Sequence, residues 1–554
     1  MLRTASPIPP QRLAPRGFAS LAPGVSMPAL LQLDRLSLLL PDGRALFSDV
    51  QFVFAGQSIG LVGDNGVGKS VLARLLAGQA QPSSGAVRCD GSVHYVAQEL
   101  DPQHYPSVAA LAGMEVLLAA LARIAAGSVD AADYALVGER WDAHARLRQA
   151  LDALDLRHVD ADTPTSSLSG GERQRIALQG AWLSQADWLV LDEPSNHLDA
   201  RQRARLVVQM ARWPGGLLLI SHDRALLEHV DEIVELSPQG LRSYGGNYSL
   251  YAQQRALEQA GYAAALQAEK AGARRQQRAA QQQAERQQRR VGRGEREGRE
   301  GNQSKLLLDA KKEKSQAYQG KLHLRAQEAQ QARQQRVMDA SARCAPDAER
   351  LLLAPESLVP NGKLLLELHD VVLPHGQALP IQLLLSGPRR LAVTGDNGSG
   401  KSTLLRVIAG QLAAAQGQLR CHARVAWLDQ HAGLRDGEWS AVQRLQARNS
   451  SLAEGALRTR LALLGIVGAR ATMPSRLLSG GERMKVALAA ELYAQVPPQL
   501  LLLDEPDNHL DLASLQALEQ MLLQYQGALL VVSHDRAFLD GLKLDPEGLT
   551  LQKR

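Results

Sequence analysis

Two short segments of this chain have the residue types and spacing to hold a chain of phosphates. Gly63-Asp64-Asn65-Gly66-Val67-Gly68-Lys69-Ser70 recurs as Gly395-Asp396-Asn397-Gly398-Ser399-Gly400-Lys401-Ser402. The glycines let consecutive backbone N–H groups wrap phosphate oxygens, the lysine reaches the β- and γ-oxygens, and the serine hydroxyl ligates Mg²⁺. Thr403 adds a hydroxyl after the second loop, whereas Val71 stands at that place in the first and removes a phosphate contact there. Downstream of each loop an apolar run ends in two acids, Leu189-Val190-Leu191-Asp192-Glu193-Pro194 and Leu501-Leu502-Leu503-Asp504-Glu505-Pro506. At the end of a buried strand, the first acid can hold the hydration shell of Mg²⁺ and the second can orient or deprotonate an attacking water. An ordinary strand with a polar end would not be paired with such a loop, and two loops in register make a chance match negligible.

The elements that must position these residues repeat too. Lys69 and Lys401 are 332 positions apart, and Gln98/Gln430 and Cys89/Cys421 keep that offset; it is 310 at Gly170/Gly480 and 312 at Asp192/Asp504 and His222/His534. The chain is therefore a duplicated domain, with 22 additional residues between Gln98 and Leu168 of the first copy. Apolar strand sequence precedes each loop and helical sequence follows it, which predicts an α/β fold with P-loop domains over 27–250 and 346–554. Between them, over 251–345, Gln, Arg, Ala and Glu dominate and proline is absent. These strong helix formers predict a helix to about Arg290, a break at Gly292, Gly294, Gly298 and Gly301, and a returning helix from about Lys305: a long α-helical hairpin linker. Residues 1–26 contain Arg3, Arg12 and Arg16 and no acid. A disordered extension, or a true start at Met27, is expected rather than an amphipathic transit peptide, because Pro9, Pro10 and Pro15 break any helix.

Composition narrows the partners. Across 554 residues, 45% hydrophobic and 21% charged content is that of an ordinary globular protein. No run approaches the roughly 18 apolar residues of a membrane helix. Three cysteines (Cys89, Cys344, Cys421) give neither a disulfide framework nor a CxxC zinc pair, so a reducing cytoplasm is the simplest compartment. Residues 251–345 carry 20 Lys/Arg against 10 Asp/Glu, a net +10, while the whole chain is +5, leaving −5 for the rest. A basic linker with few aromatics predicts backbone contact to structured RNA rather than base stacking. A solvated charged helix pair or coiled coil is the alternative.

Leu168-Ser169-Gly170-Gly171-Glu172 and Leu478-Ser479-Gly480-Gly481-Glu482 restrict the reading most. The phosphate loops, Gln98 and Gln430, this signature, Asp-Glu-Pro, Asn-His-Leu-Asp (196–199, 508–511) and Ser-His-Asp (221–223, 533–535) follow one order in both halves. In these the chain resembles the ATP-binding cassette superfamily. Two cassettes without a membrane segment, a basic helical linker, and the junction Tyr244-Gly-Gly-Asn-Tyr-Ser-Leu-Tyr251 resemble its ABC-F family from Met27 onward. The resemblance implies ATP and Mg²⁺ at two composite sites. Ser169, Gly170 and Gly171 would face ATP held by Lys401, and Ser479, Gly480 and Gly481 would face ATP held by Lys69. Gln98 and Gln430 would join Ser70, Asp192, Ser402 and Asp504 around the metal, and His222 and His534 would reach the γ-phosphate. It also implies a cytoplasmic monomer that clamps on the ribosome near the exit site, with the linker toward rRNA and P-site tRNA, in translation or in antibiotic protection. The 22 added residues would build at most a short form of the arm some members carry. The rival is the ATP-binding subunit of a membrane transporter, which has no need of a basic hairpin. DNA-repair cassettes would carry a very long coiled coil or zinc cysteines, and the ribosome-recycling relative an iron–sulfur cysteine set. The aromatic that stacks on adenine in many cassettes is not evident; Phe47 is a possible substitute in the first copy.

Overall fold

The structure, a computed structural model, describes residues 30–300, 331–340, 358–429 and 437–552, apart from Asp42, Gly56, His197 and His509. The side chains of 290–300 and of Ala280, Gln283, Ala284, Gln287 and Gln288 are also outside the description. The expected N-terminal extension, Gln430, and the returning helix from Lys305 to residue 330 lie outside the described residues.

Each half is built on a mostly parallel sheet. In the first the strand order is Val93–Val96, Trp188–Asp192, Gly216–Ile220, Ser58–Val62 and Glu232–Ser237, with Gly240–Gly245 added antiparallel at the edge. In the second it is Val425–Leu428, Leu500–Asp504, Ala528–Val532, Arg390–Gly395 and Leu549–Leu551. The central runs are buried at every residue, as unbroken apolar strands covered on both faces must be. Alternate side chains serve two cores: Leu189 and Leu191 pack under the helices, while Trp188 and Val190 face a small antiparallel sheet. That sheet pairs Leu31–Leu39 with Ala45–Phe54 and Ser84–Cys89, and its counterpart pairs Leu364–Val372 with Ile381–Ser386 and Gln416–Cys421. Gly216 makes room for the Trp188 ring, since a Cβ there would lie 2.4 Å from Cδ2.

The extra residues of the first half form helices Glu115–Ala125 and Ala131–Val137. Arg123 clasps the buried Asp133 carboxylate, which also accepts from Ser128 Oγ at 2.9 Å, and this closes the pair into a compact hairpin. Beyond it, Leu147 and Leu151 occupy the same buried places as Leu457 and Leu461 of the second half.

The linker starts as one helix, Tyr248–Glu300, of 53 residues. At 1.5 Å per residue this is about 80 Å long. Asn247 Oδ1 accepts from Leu250 N at its start. Tyr244 and Tyr251 meet edge-to-face at 5.0 Å, and Arg255 bonds Glu235 at 2.8 Å, so the first turns are seated on the first cassette. The helix does not break where the glycines gather. It continues through Gly292, Gly294 and Gly298 to Glu300. Each glycine costs a helix about 1 kcal/mol relative to alanine, and the intervening Arg and Glu residues are good helix formers, so the penalty weakens the segment without ending it. Residues 331–340 are helical again. Among the described residues, no helix is long and apolar enough to cross a membrane.

Candidate nucleotide sites

Each phosphate loop joins a buried strand to a helix. Ser58–Val62 leads through the loop to helix Lys69–Leu76, and Arg390–Gly395 leads to Lys401–Ile408. Gly68 and Gly400 cap these helices at φ of 106° and 99°, a region open to glycine. A Cβ on Gly68 would also sit 2.8 Å from Phe47 Cζ. Phe47 is thus a core residue, 5% exposed, that supports the loop from beneath and offers no face to a base. Leu40, Arg44 and Leu46 line that end of the first cavity instead. Lys69 Nζ donates to Gly63 O (2.7 Å) and Asp64 O (3.1 Å), and Lys401 Nζ to Gly395 O (2.8 Å) and Asp396 O (3.1 Å). Both lysines are buried, and desolvation lowers their pKa. Ser70 lines the first cavity and Val71 lies beside it, while Thr403 follows Ser402 in the second loop.

The strand acids point at these loops. Asp192 accepts from Tyr95 Oη at 3.1 Å and from Ser70, and Asp504 Oδ1 accepts from Ser402 Oγ at 3.1 Å. Burial raises both carboxyls, Asp504 to about 6. A hydroxyl and a buried carboxylate are the hard-oxygen donors that suit Mg²⁺, so the residues fit that ion. Gln98 lines the first cavity beside them. The following glutamates adopt a left-handed backbone, φ 49° at both Glu193 and Glu505. For such a residue this conformation costs about 1–3 kcal/mol, and it turns the side chain off the strand end into the cavity. Their N–H groups are tied to Ile220 O and Val532 O at 2.8 Å. His222 Nε2 lies 3.4 Å from Glu193 Oε1, and His534 Nε2 lies 3.6 Å from Glu505 Oε1. Burial pushes Glu193 up to about 8 and holds His222 near 3 and His534 near 4. A neutral histidine beside a carboxyl that takes and releases a proton near neutrality can position and activate a water.

The signature segments are helix starts. Ser169 and Ser479 cap helices Gly170–Leu183 and Gly480–Leu492 in full capping boxes, their hydroxyls accepting from Glu172 N and Glu482 N while those glutamates accept from the serine N–H groups. The Ser-x-x-Glu spacing explains itself here: it presents free N–H groups and the positive end of a helix. Those ends meet the opposite cassette. A cavity of about 460 Å³ joins Lys69, Ser70, Asp192, Glu193 and His222 to Gly480. A second, of about 400 Å³, joins Ser169 and Gly171 to Asn397, Glu505 and His534. Gly170 stands with them at the helix start, and Gly481 packs under Ser514. Across the interface, Asn65 N donates to Asp511 Oδ2 at 2.7 Å and Arg224 Nη1 to Glu519 Oε1 at 2.8 Å. Tyr248, the first linker residue, bonds to Gln516 of the second cassette.

Sequence reasoning left Asp199 and Asp511 out of the site, although both end the repeated Asn-His-Leu-Asp motif. Asp199 lines the second cavity, and Asp511 reaches the first loop. Arg203 and Asp507 also face the cavities, and these had no signal in the repeat because the two copies differ there.

A family model described as ABC transporter matches residues 48–196 and 380–508. The chain is similar to the tylosin resistance ATP-binding protein TlrC of Streptomyces fradiae, 33% identical over 535 residues, covering 89% of this chain and 93% of TlrC. It is 32% identical over 529 residues to the energy-dependent translational throttle protein EttA of Mycobacterium tuberculosis, covering 90% and 87%. Among solved structures, that of an RNase-L inhibitor superposes with a TM-score of 0.56 at 19% identity, covering 94% of this chain and 90% of the other, which shows a shared tandem-cassette fold. Two matched cassettes, relatives of this kind along nearly the whole chain, and paired cavities at the cassette interface place the chain in the ABC-F family of ATP-binding cassette ATPases.

Proposed function

We propose that this chain hydrolyses ATP at two shared sites and uses the resulting closing and opening to set its basic linker helix on the ribosome. The observation that carries the ATPase part is the make-up of the cavities, each joining the glutamate and histidine of one cassette to the helix start of the other. Gly63–Ser70 and Gly395–Thr403 bind the phosphates, with Lys69 and Lys401 opposing their charge. Gly480 and its neighbours Ser479 and Gly481, or Ser169 with Gly170 and Gly171, add donors from across the interface, so that ATP holds the halves together. Glu193 and Glu505 orient and deprotonate the attacking water, while His222 and His534 direct it at the γ-phosphate. Ser70, Gln98 and Asp192, or Ser402, Gln430 and Asp504, would hold Mg²⁺, which would supply positive charge against the phosphates. Because each site needs both halves, a cassette alone should hydrolyse poorly.

The ribosomal part rests on the +10 charge of 251–345 and on relatives whose names report translational throttling and resistance to tylosin. Tyr248 touches both cassettes' elements at the root of the helix, so closure would re-aim the helix beyond it. Contact would be to rRNA and P-site tRNA near the exit site, by a cytoplasmic monomer. The test uses the Glu193→Gln/Glu505→Gln variant with ATP, which should trap a closed clamp that co-sediments with 70S ribosomes and blocks translation. ATP binding without co-sedimentation would refute the ribosomal reading and leave the ATPase reading standing.

A further inference from the structure

Two residues, Arg203 and Asn508, border both nucleotide cavities, and Arg203 is the one that carries a charge. Arg203 lies at the start of helix Ala200–Arg212, its side chain 15% exposed, and lines the cavity of Lys69 as well as that of Glu505 and His534. Its Nη1 donates to Asp223 Oδ2 at 3.0 Å and its Nε to Leu198 O at 3.1 Å. Asp223 follows His222 in the segment facing the first cavity. Leu198 precedes Asp199, which faces the second cavity near Lys401. The guanidinium therefore ties the segment that meets nucleotide at one site to the segment that meets it at the other. Across the interface it also faces the carboxylates of Asp507 and Asp535.

The approximate twofold symmetry of the duplication does not repeat this link. At the offset of 312, Arg203 corresponds to Leu515 and Asp223 to Asp535, so the second copy keeps the carboxylate and lacks the guanidinium that would tie it. Leu515 lines the first cavity but has no fork to join two loops.

We propose that Arg203 is a positioning residue that couples the two ATP sites, by a single ionic link where symmetry would provide two. The inference rests on the two-site ATPase reading. Coupling between binding equilibria is reciprocal, so the one link lets occupancy of either site strengthen the other. Leu198 and Asp223 have two arrangements to share, closed together or released together, and the arginine favours the concerted ones.

The experiment measures ATP affinity at the Lys401 site in the non-hydrolysing Glu193→Gln/Glu505→Gln background, with Lys69 intact or replaced by alanine. The ratio of the two affinities is the coupling. Arg203→Leu should lower that ratio at least about fivefold, the lower end of ordinary allosteric couplings, and Arg203→Lys should restore part of it. Arg203→Gln, of similar length, serves if the leucine variant folds poorly. Arg123→Ala provides the comparison, because it breaks the ion pair with Asp133 in the first cassette and borders neither cavity. A coupling ratio unchanged by Arg203→Leu, or lowered no more than by Arg123→Ala, overturns the proposal. Absence of ATP binding at either site would instead overturn the underlying two-site reading.

Discussion

The interface pair Arg224–Glu519 allows a worked test of how tightly the cassettes close. The two side chains are 12% exposed, 2.8 Å apart, and belong to opposite halves. Their counterparts at the repeat offset are Arg536 and Val207, so no second ion pair replaces them by symmetry. A charge-assisted hydrogen bond contributes about 1.5–3 kcal/mol, against about 0–1 kcal/mol for an exposed ion pair. With so little solvent screening the first range applies, and Arg224→Ala should weaken closure by about 2 kcal/mol, or roughly 30-fold in the closed-to-open ratio. Burial already raises the Glu519 carboxyl, with Arg224 pulling it back. Without the arginine the carboxyl rises further, so the closed state of the variant prefers Glu519 protonated. The defect should therefore be largest at alkaline pH and shrink as pH falls through that raised value. One fluorophore per cassette in the Glu193→Gln/Glu505→Gln background would report the ATP concentration for half-closure, expected to rise by about the same factor. If the midpoint is unmoved, or if the Arg224→Ala and Glu519→Ala shifts simply add, the pair does not hold the interface and the reasoning fails.

Other expectations follow from the same geometry. Glu193, held near 8 by burial, is protonated and unable to act as a base below that pH. Turnover of Glu505→Gln, which leaves only the Lys69 site active, should rise about tenfold per pH unit below 8 and level off above; a flat profile from pH 6 to 9 would remove Glu193 from that role. A Cβ on Gly180 would meet Ala112 O at 2.3 Å and Ala112 Cα at 2.5 Å, atoms of backbone that cannot step aside. Gly180→Ala should thus destabilise the first cassette by about 1–3 kcal/mol, visible as a lower melting temperature, and an unchanged melt would show that the helix shifts freely. Reversing the charges of Arg286, Arg289 and Arg290 should weaken ribosome binding and reduce its salt slope by about 2–3, whereas an equal slope would move the RNA contact off this stretch of helix.

What could be read from the amino-acid order alone is what depends on local backbone chemistry. A phosphate loop needs glycine at set positions between a strand and a helix. A capping box needs Ser and Glu three residues apart. A buried strand shows as an unbroken apolar run, and duplication shows each of these twice. The linker's charge is likewise a property of composition. Its path is a sum of propensities against chain entropy, which is why the glycines near 292–298 looked like a break and are carried inside a helix. Phe47 looked available to a base because exposure has no sequence signature; only packing beneath Gly68 showed where its ring goes. The residues that cross the interface were hidden for a related reason. Asn65 and Asp511 lie in repeated motifs, but nothing in the order of residues shows that two positions so far apart meet; Arg203 and Asp507 occur in one copy each, so the repeat does not mark them. The order of residues determined that there are two phosphate loops with acids to serve them. That each site draws on the other half entered only through the family resemblance, and the tertiary structure decided which residues of the two halves line each cavity, because that depends on which surfaces meet.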